Sequence, residues 1–275
     1  MNLKFFYITN NVEVAKAAQD AGVDRLFVDL ETLGKAERQK NMNAVLSYHT
    51  LDDVKKIASV KTTSKLLTRV NPINPGSKEE IDRAIEYGSD FLMLPMFKTR
   101  EEVQKFVEFV DGRVPTVCLM ETREAAERAD DILTVEGVSE YFIGLNDMHL
   151  SFGLKNMFEL LVNGVVDDLA SKFRAAGKPF GFGGIARVNR GDVPANYILA
   201  EHCRLGSSAV ILSRSFCDTT KGLDGNFDAF REEFTRELNK IRKYEAFLTK
   251  RDLAFLNDTR ELLADAIEEV KARKV

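Results

Sequence analysis

A (β/α)8 barrel is the fold that this 275-residue chain predicts, on three observations. Eight short apolar, strand-like runs lie between residues 5 and 213, with helix-like segments between them almost throughout. Strands alternating with helices build a parallel α/β sheet, and eight such units can close on themselves within about 250 residues. The G-x-G-x-x-G signature that would favour an open doubly wound sheet does not follow the first strand. The expected organisation is a barrel over residues 1–220 and a helical extension over 221–275.

Phe5-Phe6-Tyr7-Ile8 is the first strand, and Asn11 is placed to cap a helix over 12–21 that Gly22 ends. Arg25-Leu26-Phe27-Val28-Asp29-Leu30-Glu31 reads as a buried second strand ending in acids. A helix near 51–59 leads to the third strand, 65–70, which breaks at Asn71-Pro72-Ile73-Asn74-Pro75-Gly76. Ser77-Lys78-Glu79-Glu80 has capping-box spacing and opens a helix closed by Gly88. Phe91-Leu92-Met93-Leu94 is the fourth strand, and Thr99 caps the helix after it. Asp111-Gly112 turns the chain into the fifth strand at 114–120, followed by a helix over 122–133. The sixth apolar run leads to Asp147. Phe158, Leu161, Val165, Leu169 and Phe173 share one helical face. The seventh strand, 180–186, is rich in glycine, a sign of close approach to a ligand, of a bulge or of a crowded interior. A helix near 194–203, opened by Pro194, precedes the eighth strand at 209–213. Beyond it, amphipathic helices span 227–247 and 257–273, their apolar faces requiring cover from this barrel or a neighbouring subunit.

Composition narrows the partners. The net charge is −4, with 39 basic and 43 acidic residues and no basic block, so no nucleic-acid partner is expected. No apolar run reaches the ~20 residues of a membrane span. The start runs directly into a strand without a signal-peptide pattern, and a cytoplasmic location is expected. Cys118, Cys203 and Cys217 lack metal-ligand spacing, and Cys118 lies within an apolar strand as a small core residue.

Barrels of this kind carry their chemistry at the C-terminal ends of the strands. The polar residues there are Glu31, Arg69, Glu121, Asp147 and Ser213. Glu121 and Asp147 end two apolar runs 26 residues apart, about one strand-helix-strand repeat. Their carboxylates would then lie on adjacent strands, able to hold a hard divalent cation while water and substrate take its other positions. Oxygen ligation favours Mg2+ (or Mn2+ or Co2+) over zinc. Each acid also has a plainer reading, since Glu121 suits the N-terminus of the following helix. Arg69 has the fork for a substrate carboxylate, or for a structural ion pair. Gly183 and Gly184 would let substrate approach the backbone.

Several segments resemble the HpcH/HpaI aldolase/citrate lyase β-subunit family, within the phosphoenolpyruvate/pyruvate barrel superfamily. They are Gly22 to Glu31, Arg69-Val70-Asn71, Gly88 to Pro95, Met120-Glu121-Thr122-Arg123-Glu124-Ala125 and Gly144-Leu145-Asn146-Asp147-Met148. The likeness runs from about residue 22 to 215, and the Met-Glu-Thr and Gly-x-x-Asp segments in this order are its most specific part. It implies that Glu121 and Asp147 are metal ligands and that Arg69 binds the carboxylate of pyruvate or oxaloacetate. It also implies a carbon–carbon bond made or broken beside a 2-oxo acid or an acyl thioester, and a homo-oligomer built through C-terminal helices.

One departure bears on acid–base chemistry. The hydroxy-acid aldolases of this family place a histidine soon after the second strand, whereas Glu31 is followed here by Thr32-Leu33-Gly34. Glu31, a metal-bound water or His49 would then move the proton. His149 follows the second acid, and Arg187 and Arg214 follow the last two strands, where they would meet an anionic group or solvent. The expected activity is a divalent-metal-dependent lyase or aldolase acting on a 2-oxo acid. A citryl- or malyl-coenzyme A lyase and a non-catalytic oligomeric ligand-binding barrel are the alternatives.

Overall fold

A computed structural model of the protein describes residues 2–34, 49–213, 216–217 and 227–273. Eight parallel strands close in chain order: β1 (Lys4–Ile8), β2 (Arg25–Asp29), β3 (Lys65–Arg69), β4 (Phe91–Leu94), β5 (Thr116–Met120), β6 (Glu140–Ile143), β7 (Phe180–Ile185) and β8 (Ala209–Leu212), with β8 paired to β1. This is the barrel that the alternating segments predict.

The alternation of each strand sorts its side chains into two layers. One set faces inward: Phe6, Phe27, Leu67, Met93, Val117, Leu119, Phe142 and Ala209 form the filled barrel interior. The other set, with Phe5, Leu26, Leu66, Leu92 and Cys118 among it, packs under the surrounding helices. Burial pushes the Cys118 thiol well above its usual range, as suits a small core residue. At the N-terminal end the inward positions hold a buried ion pair. Arg25 grips both oxygens of Glu140 at 2.7 and 2.6 Å and lies 3.8 Å from the Phe91 ring centre. The same inward rows, followed to the other end of the barrel, reach Asp29, Arg69 and Glu121.

Helices α1 (Val12–Asp20), α2 (Leu51–Val60), α3 (Ser77–Glu86) and α4 (Arg100–Val110) follow the first four strands. Asn11 caps α1 through the Glu13 and Val14 N–H groups, and Thr99 with Glu102 forms a reciprocal capping box on α4. The capping box expected at Ser77 does not form. Ser77 is already inside α3, its hydroxyl accepts from the Asn74 N–H, and Glu80 turns instead to Asn71. The helix expected over 122–133 is two short ones, α5 (Arg123–Glu127) and α6 (Ala129–Ile132), divided at Arg128. After β6 the chain turns directly into α7 (Leu145–Ser151), so Asp147 stands in a first helical turn rather than on the strand. The helical face over 158–173 is also split, into α8 (Glu159–Val162) and α9 (Val165–Ala175), by Gly164 at φ 95°.

Helix α10 (Ala195–Leu205) starts after Pro194. Helix α11 (Phe227–Leu248) packs between α1 and α10 and so completes the helical ring around the barrel. Its Phe234 meets the Tyr7 and Phe216 rings. Helix α12 (Leu253–Arg273) lies outside the eightfold repeat and buries Leu256, Leu263, Ile267 and Val270 against α8 and α10. Arg260 of α12 and Arg204 of α10 share Asp167 at 2.9 and 2.8 Å. Most of the apolar face of each of the last two helices is therefore covered by this chain's own barrel, while Phe247, Leu253 and Leu262 remain exposed. Among the described residues, no helix is long and apolar enough to cross a membrane.

Candidate active site

Asp29 and Arg69 are register partners on β2 and β3, so their inward side chains meet. Arg69 donates from Nε to Asp29 Oδ1 and from Nη2 to Oδ2, both at 2.8 Å. Nη2 also lies 3.2 Å from Glu31 Oε2. Asp29 and Glu31 are buried, and Arg69 is 14% exposed. Burial alone would weaken the hold on the Arg69 proton, yet Asp29 first, then Glu31 and Glu121, raises its pKa above the ordinary arginine value. The Nε–Nη2 edge is engaged by Asp29, so Nη1 is the atom that Arg69 can offer to a ligand.

Glu121 closes the next part of the ring. The Met96 N–H donates to its Oε1 at 3.1 Å, from a backbone turned to φ 55°. Oε2 lies against Gly144, where a Cβ would come within 2.7 Å of both the Glu121 Cβ and Oε2. Gly144 is hydrogen-bonded to the Met120 carbonyl and starts the turn into α7 that carries Asp147. Burial pushes the Glu121 carboxyl well above the usual range. The Arg69 charge opposes that shift, and the nearby Asp147 and Glu31 carboxylates add to it. Buried acids that repel one another fit a hard cation, which would relieve that repulsion through oxygen ligands. Among the described residues no three His, Cys, Asp or Glu side chains converge as a metal cage. The pair would thus leave most of a cation's coordination to water and substrate, as Mg2+ accepts.

The Asp29 backbone N–H donates to His49 Nδ1 at 3.0 Å. With Nδ1 as acceptor, a neutral His49 ring carries its proton on Nε2. Residues 35–48, which precede His49 in the sequence, lie outside the described residues, as does Arg214. Gly183 adopts φ 55°, and a Cβ there would stand 2.7 Å from Leu145 Cδ1, so packing accounts for this glycine without a ligand. A Cβ at Gly184 would make ordinary contacts, 3.5 Å from the Ile211 carbonyl oxygen and 3.9 Å from Ser213 Cβ, so packing does not require glycine there. A register irregularity between Gly181 and Gly184 marks the bulge that the glycines allow. Ser213, which follows β8, donates its N–H to the Ile185 carbonyl.

Two further residues take structural roles. His149 is buried, with Nδ1 3.2 Å from the Leu145 carbonyl of its own helix. Arg187, partly exposed, is engaged by protein groups. It donates from Nε to the Phe216 carbonyl at 2.6 Å and pairs with Glu233 of α11 at 2.7 Å, tying α11 to the end of β7. Sequence reasoning missed Asp29 as the partner of Arg69, and Met96 and Gly144 as the surroundings of Glu121. Inward parity was the available signal for Asp29, since it shares the face of Arg25 and Phe27.

Comparisons with known proteins place the chain. A model of the HpcH/HpaI aldolase/citrate lyase family matches residues 3–191. The 2-keto-3-deoxy-L-rhamnonate aldolase of Escherichia coli (strain K12) is 27% identical over 204 residues, covering 63% of this chain and 71% of that protein. A crystal structure of an HpcH/HpaI aldolase/citrate lyase family protein from Burkholderia cenocepacia J2315 superposes with a TM-score of 0.62 at 16% identity, covering 84% of this chain and 94% of that one. The citrate lyase β subunit from M. tuberculosis, solved with oxaloacetate and magnesium, gives a TM-score of 0.56 at 15% identity, covering 85% and 97%.

Proposed function

This chain belongs to the HpcH/HpaI aldolase/citrate lyase family, and we propose that it is a divalent-metal-dependent carbon–carbon lyase or aldolase that binds a 2-oxo acid at the Arg69–Glu121–Asp147 mouth. The observation that carries this reading is the juxtaposition of a buried, preorganised guanidinium with the Glu121 and Asp147 carboxylates at the C-terminal end of the barrel. The likeness to a citrate lyase β subunit solved with oxaloacetate and magnesium supports it. No observation favours a coenzyme A thioester or a non-catalytic barrel.

Glu121 and Asp147 would hold Mg2+, or Mn2+ or Co2+ in its place. When bound, the cation supplies Lewis-acid stabilisation to negative charge developing on the keto oxygen. Arg69 Nη1 donates to the substrate carboxylate, while Asp29 keeps the guanidinium plane fixed. Gly184 is the point on β7 where the substrate would meet backbone rather than a side chain. In the cleavage direction a base removes the hydroxyl proton, the adjacent carbon–carbon bond breaks, and its electron pair passes to the 2-oxo acid fragment. Glu31 is the proton carrier in this reading. His49, with Nδ1 occupied by the Asp29 N–H, contributes an Nε2 hydrogen-bond donor. The protein works in the cytoplasm, and the exposed Leu253 and Leu262 of α12 are the apolar contacts for a homo-oligomer.

Calorimetric titration of pyruvate and oxaloacetate, with Mg2+ and with chelator, tests the reading on native protein and Glu121→Gln. Metal-dependent binding that the variant loses is expected. Native protein that binds neither oxo acid under either condition would overturn it.

A further inference from the structure

We propose that Asn71 and Glu80 form a positioning clamp that sets the Glu31 carboxylate against Arg69. The proposal rests on the functional reading above, since it assigns the pair a part in that reaction. Glu31 sits where the chain leaves β2, and the residues after it, Thr32, Leu33 and Gly34, are exposed. A cavity of about 300 Å³ lies beside them, lined by Thr32, Leu33, Asn71 and Glu80 among others. Packing therefore does little to hold this segment, and hydrogen bonds must.

Beside the Glu31 N–H bond to Asp29 Oδ1 and the Leu30 N–H bond to the Arg69 carbonyl, the Asn71 side chain supplies them. Asn71 Nδ2 donates to the Leu30 carbonyl at 3.2 Å, and Asn71 Oδ1 accepts from the Thr32 N–H at 2.9 Å and the Leu33 N–H at 3.0 Å. The Leu30 carbonyl and the Thr32 N–H belong to the two peptide groups that flank Glu31, so both are fixed by one amide. Glu80 orients that amide in turn. Its carboxylate accepts from Asn71 Nδ2 at 2.7 Å and from the Asn71 N–H at 3.1 Å. A carboxylate only accepts, so the Asn71 NH2 must face Glu80 and its oxygen must face the Thr32 and Leu33 donors. Asn71 lies two residues beyond Arg69, so the clamp joins the strand end that carries Arg69 to the one that carries Glu31. The 3.2 Å approach of Arg69 to Glu31 is the distance it governs. Asn71 and Glu80 touch no reacting atom in this scheme and act only through Glu31.

A reciprocal swap separates positioning from mere stability. Asn71→Asp sets two carboxylates face to face and removes the donor to Leu30. Glu80→Gln turns an amide NH2 toward the donors of Asn71. In the Asn71→Asp/Glu80→Gln double variant, the new amide donates to the new carboxylate. The remaining oxygens again accept from the Asn71-position N–H and from Thr32 and Leu33, and only the Leu30 bond is missing. With Mg2+ present, oxaloacetate serves as the probe: its bond to the outer carboxylate breaks, CO2 leaves, and Glu31 returns a proton to C3 of the enolate to give pyruvate, whose release reports kcat and KM. Melting temperatures are recorded for all four proteins. Each single variant is expected to lose about 10- to 100-fold in kcat, the usual effect of removing a hydrogen bond that orients a functional group from behind, with KM changed less than about 3-fold. The double variant should recover most of that loss. Single variants with native kcat and only a lowered melting temperature would overturn the clamp, as would a double variant no better than the poorer single one. Native protein that neither binds nor turns over oxaloacetate would defeat the functional reading itself, and the clamp's part in the reaction with it.

Discussion

Replacing Gly144 with alanine tests the geometry around Glu121 most directly. The backbone at Gly144, φ −84° and ψ 86°, has a negative φ, so a side chain causes no left-handed strain. The added methyl carbon would instead stand 2.7 Å from Glu121 Cβ and Oε2 and 3.2 Å from Leu119 Cδ1. Ordinary carbon contacts begin near ~3.5 Å, so Glu121 must retreat by roughly 1 Å. Overpacking of this kind costs about 1–3 kcal/mol, partly offset by the ~0.4–1 kcal/mol that alanine gains over glycine through the unfolded chain. The net loss is then about 0–2.5 kcal/mol, a fall of up to ~5 °C in Tm for a chain of this length. The effect on the site is larger in proportion. Glu121 leaves the place where the Met96 N–H fixes it, and displacing a ligand's support typically weakens metal affinity ~10- to 100-fold. Calorimetric Mg2+ titration at 25 °C, where the variant remains folded, reads this directly beside a thermal melt. Unchanged Mg2+ affinity in Gly144→Ala would refute the placement of Glu121 as a ligand, whatever the melting temperature did.

Asp29→Asn leaves the nearly buried Arg69 with Glu31 as its remaining close counter-charge. Stability should fall by about 1.5–3 kcal/mol through the weakened charge-assisted bonds, and a native urea midpoint would count against the pair. His202 is buried, stacked at 3.7 Å on Phe182, and burial lowers its pKa to about 3. The unfolded chain therefore takes up the proton first as pH falls. The stability that neutral His202 provides is complete above about pH 6.5 and is lost at ~1.4 kcal/mol per pH unit below it, down to about pH 3. His202→Phe should flatten that acid limb in denaturant melts at pH 5 and 7, and an unaltered slope would contradict the assignment. Arg187→Ala should lower stability by about 1–2 kcal/mol through the lost Phe216 and Glu233 bonds while leaving oxo-acid affinity unchanged. Weakened affinity would return Arg187 to the site.

The fold was legible because the strands of a filled barrel are nearly continuous apolar runs, and the chain has eight, each with a turn signal behind it. Where the reading slipped, the deciding groups were distant in sequence. Ser77 and Glu80 have capping-box spacing, yet Asn71 competes for the Glu80 carboxylate from the preceding loop. Asn163-Gly164 interrupts a helical apolar face whose periodicity runs straight through it. In the site, Arg69, Glu121 and Asp147 were visible as charged residues closing apolar runs. Asp29 was hidden by its neighbour Glu31, although only the pairing of β2 with β3 could show that it takes both oxygens to Arg69. Arg187 was left between an anionic group and solvent because spacing gives its strand end and nothing of Glu233, 46 residues later on α11.

The charge around Arg69 has one further consequence. Among the described residues, Glu31, Glu121 and Asp147 stand near the Arg69 guanidinium, whose fork Asp29 already engages. A 2-oxo acid is itself an anion, and without a cation it would approach the Glu121 and Asp147 carboxylates in a setting where charges are poorly screened. Cation and oxo acid must therefore favour each other's binding, and the coupling is reciprocal. Saturating Mg2+ should tighten pyruvate binding by roughly 5- to 150-fold, the usual range for coupled sites, and saturating pyruvate should tighten Mg2+ binding by the same factor. The two factors come from four calorimetric titrations on one preparation. Pyruvate binding that is equally tight in chelator would mean that Arg69 alone holds the anion, and that Glu121 and Asp147 serve something other than a cation.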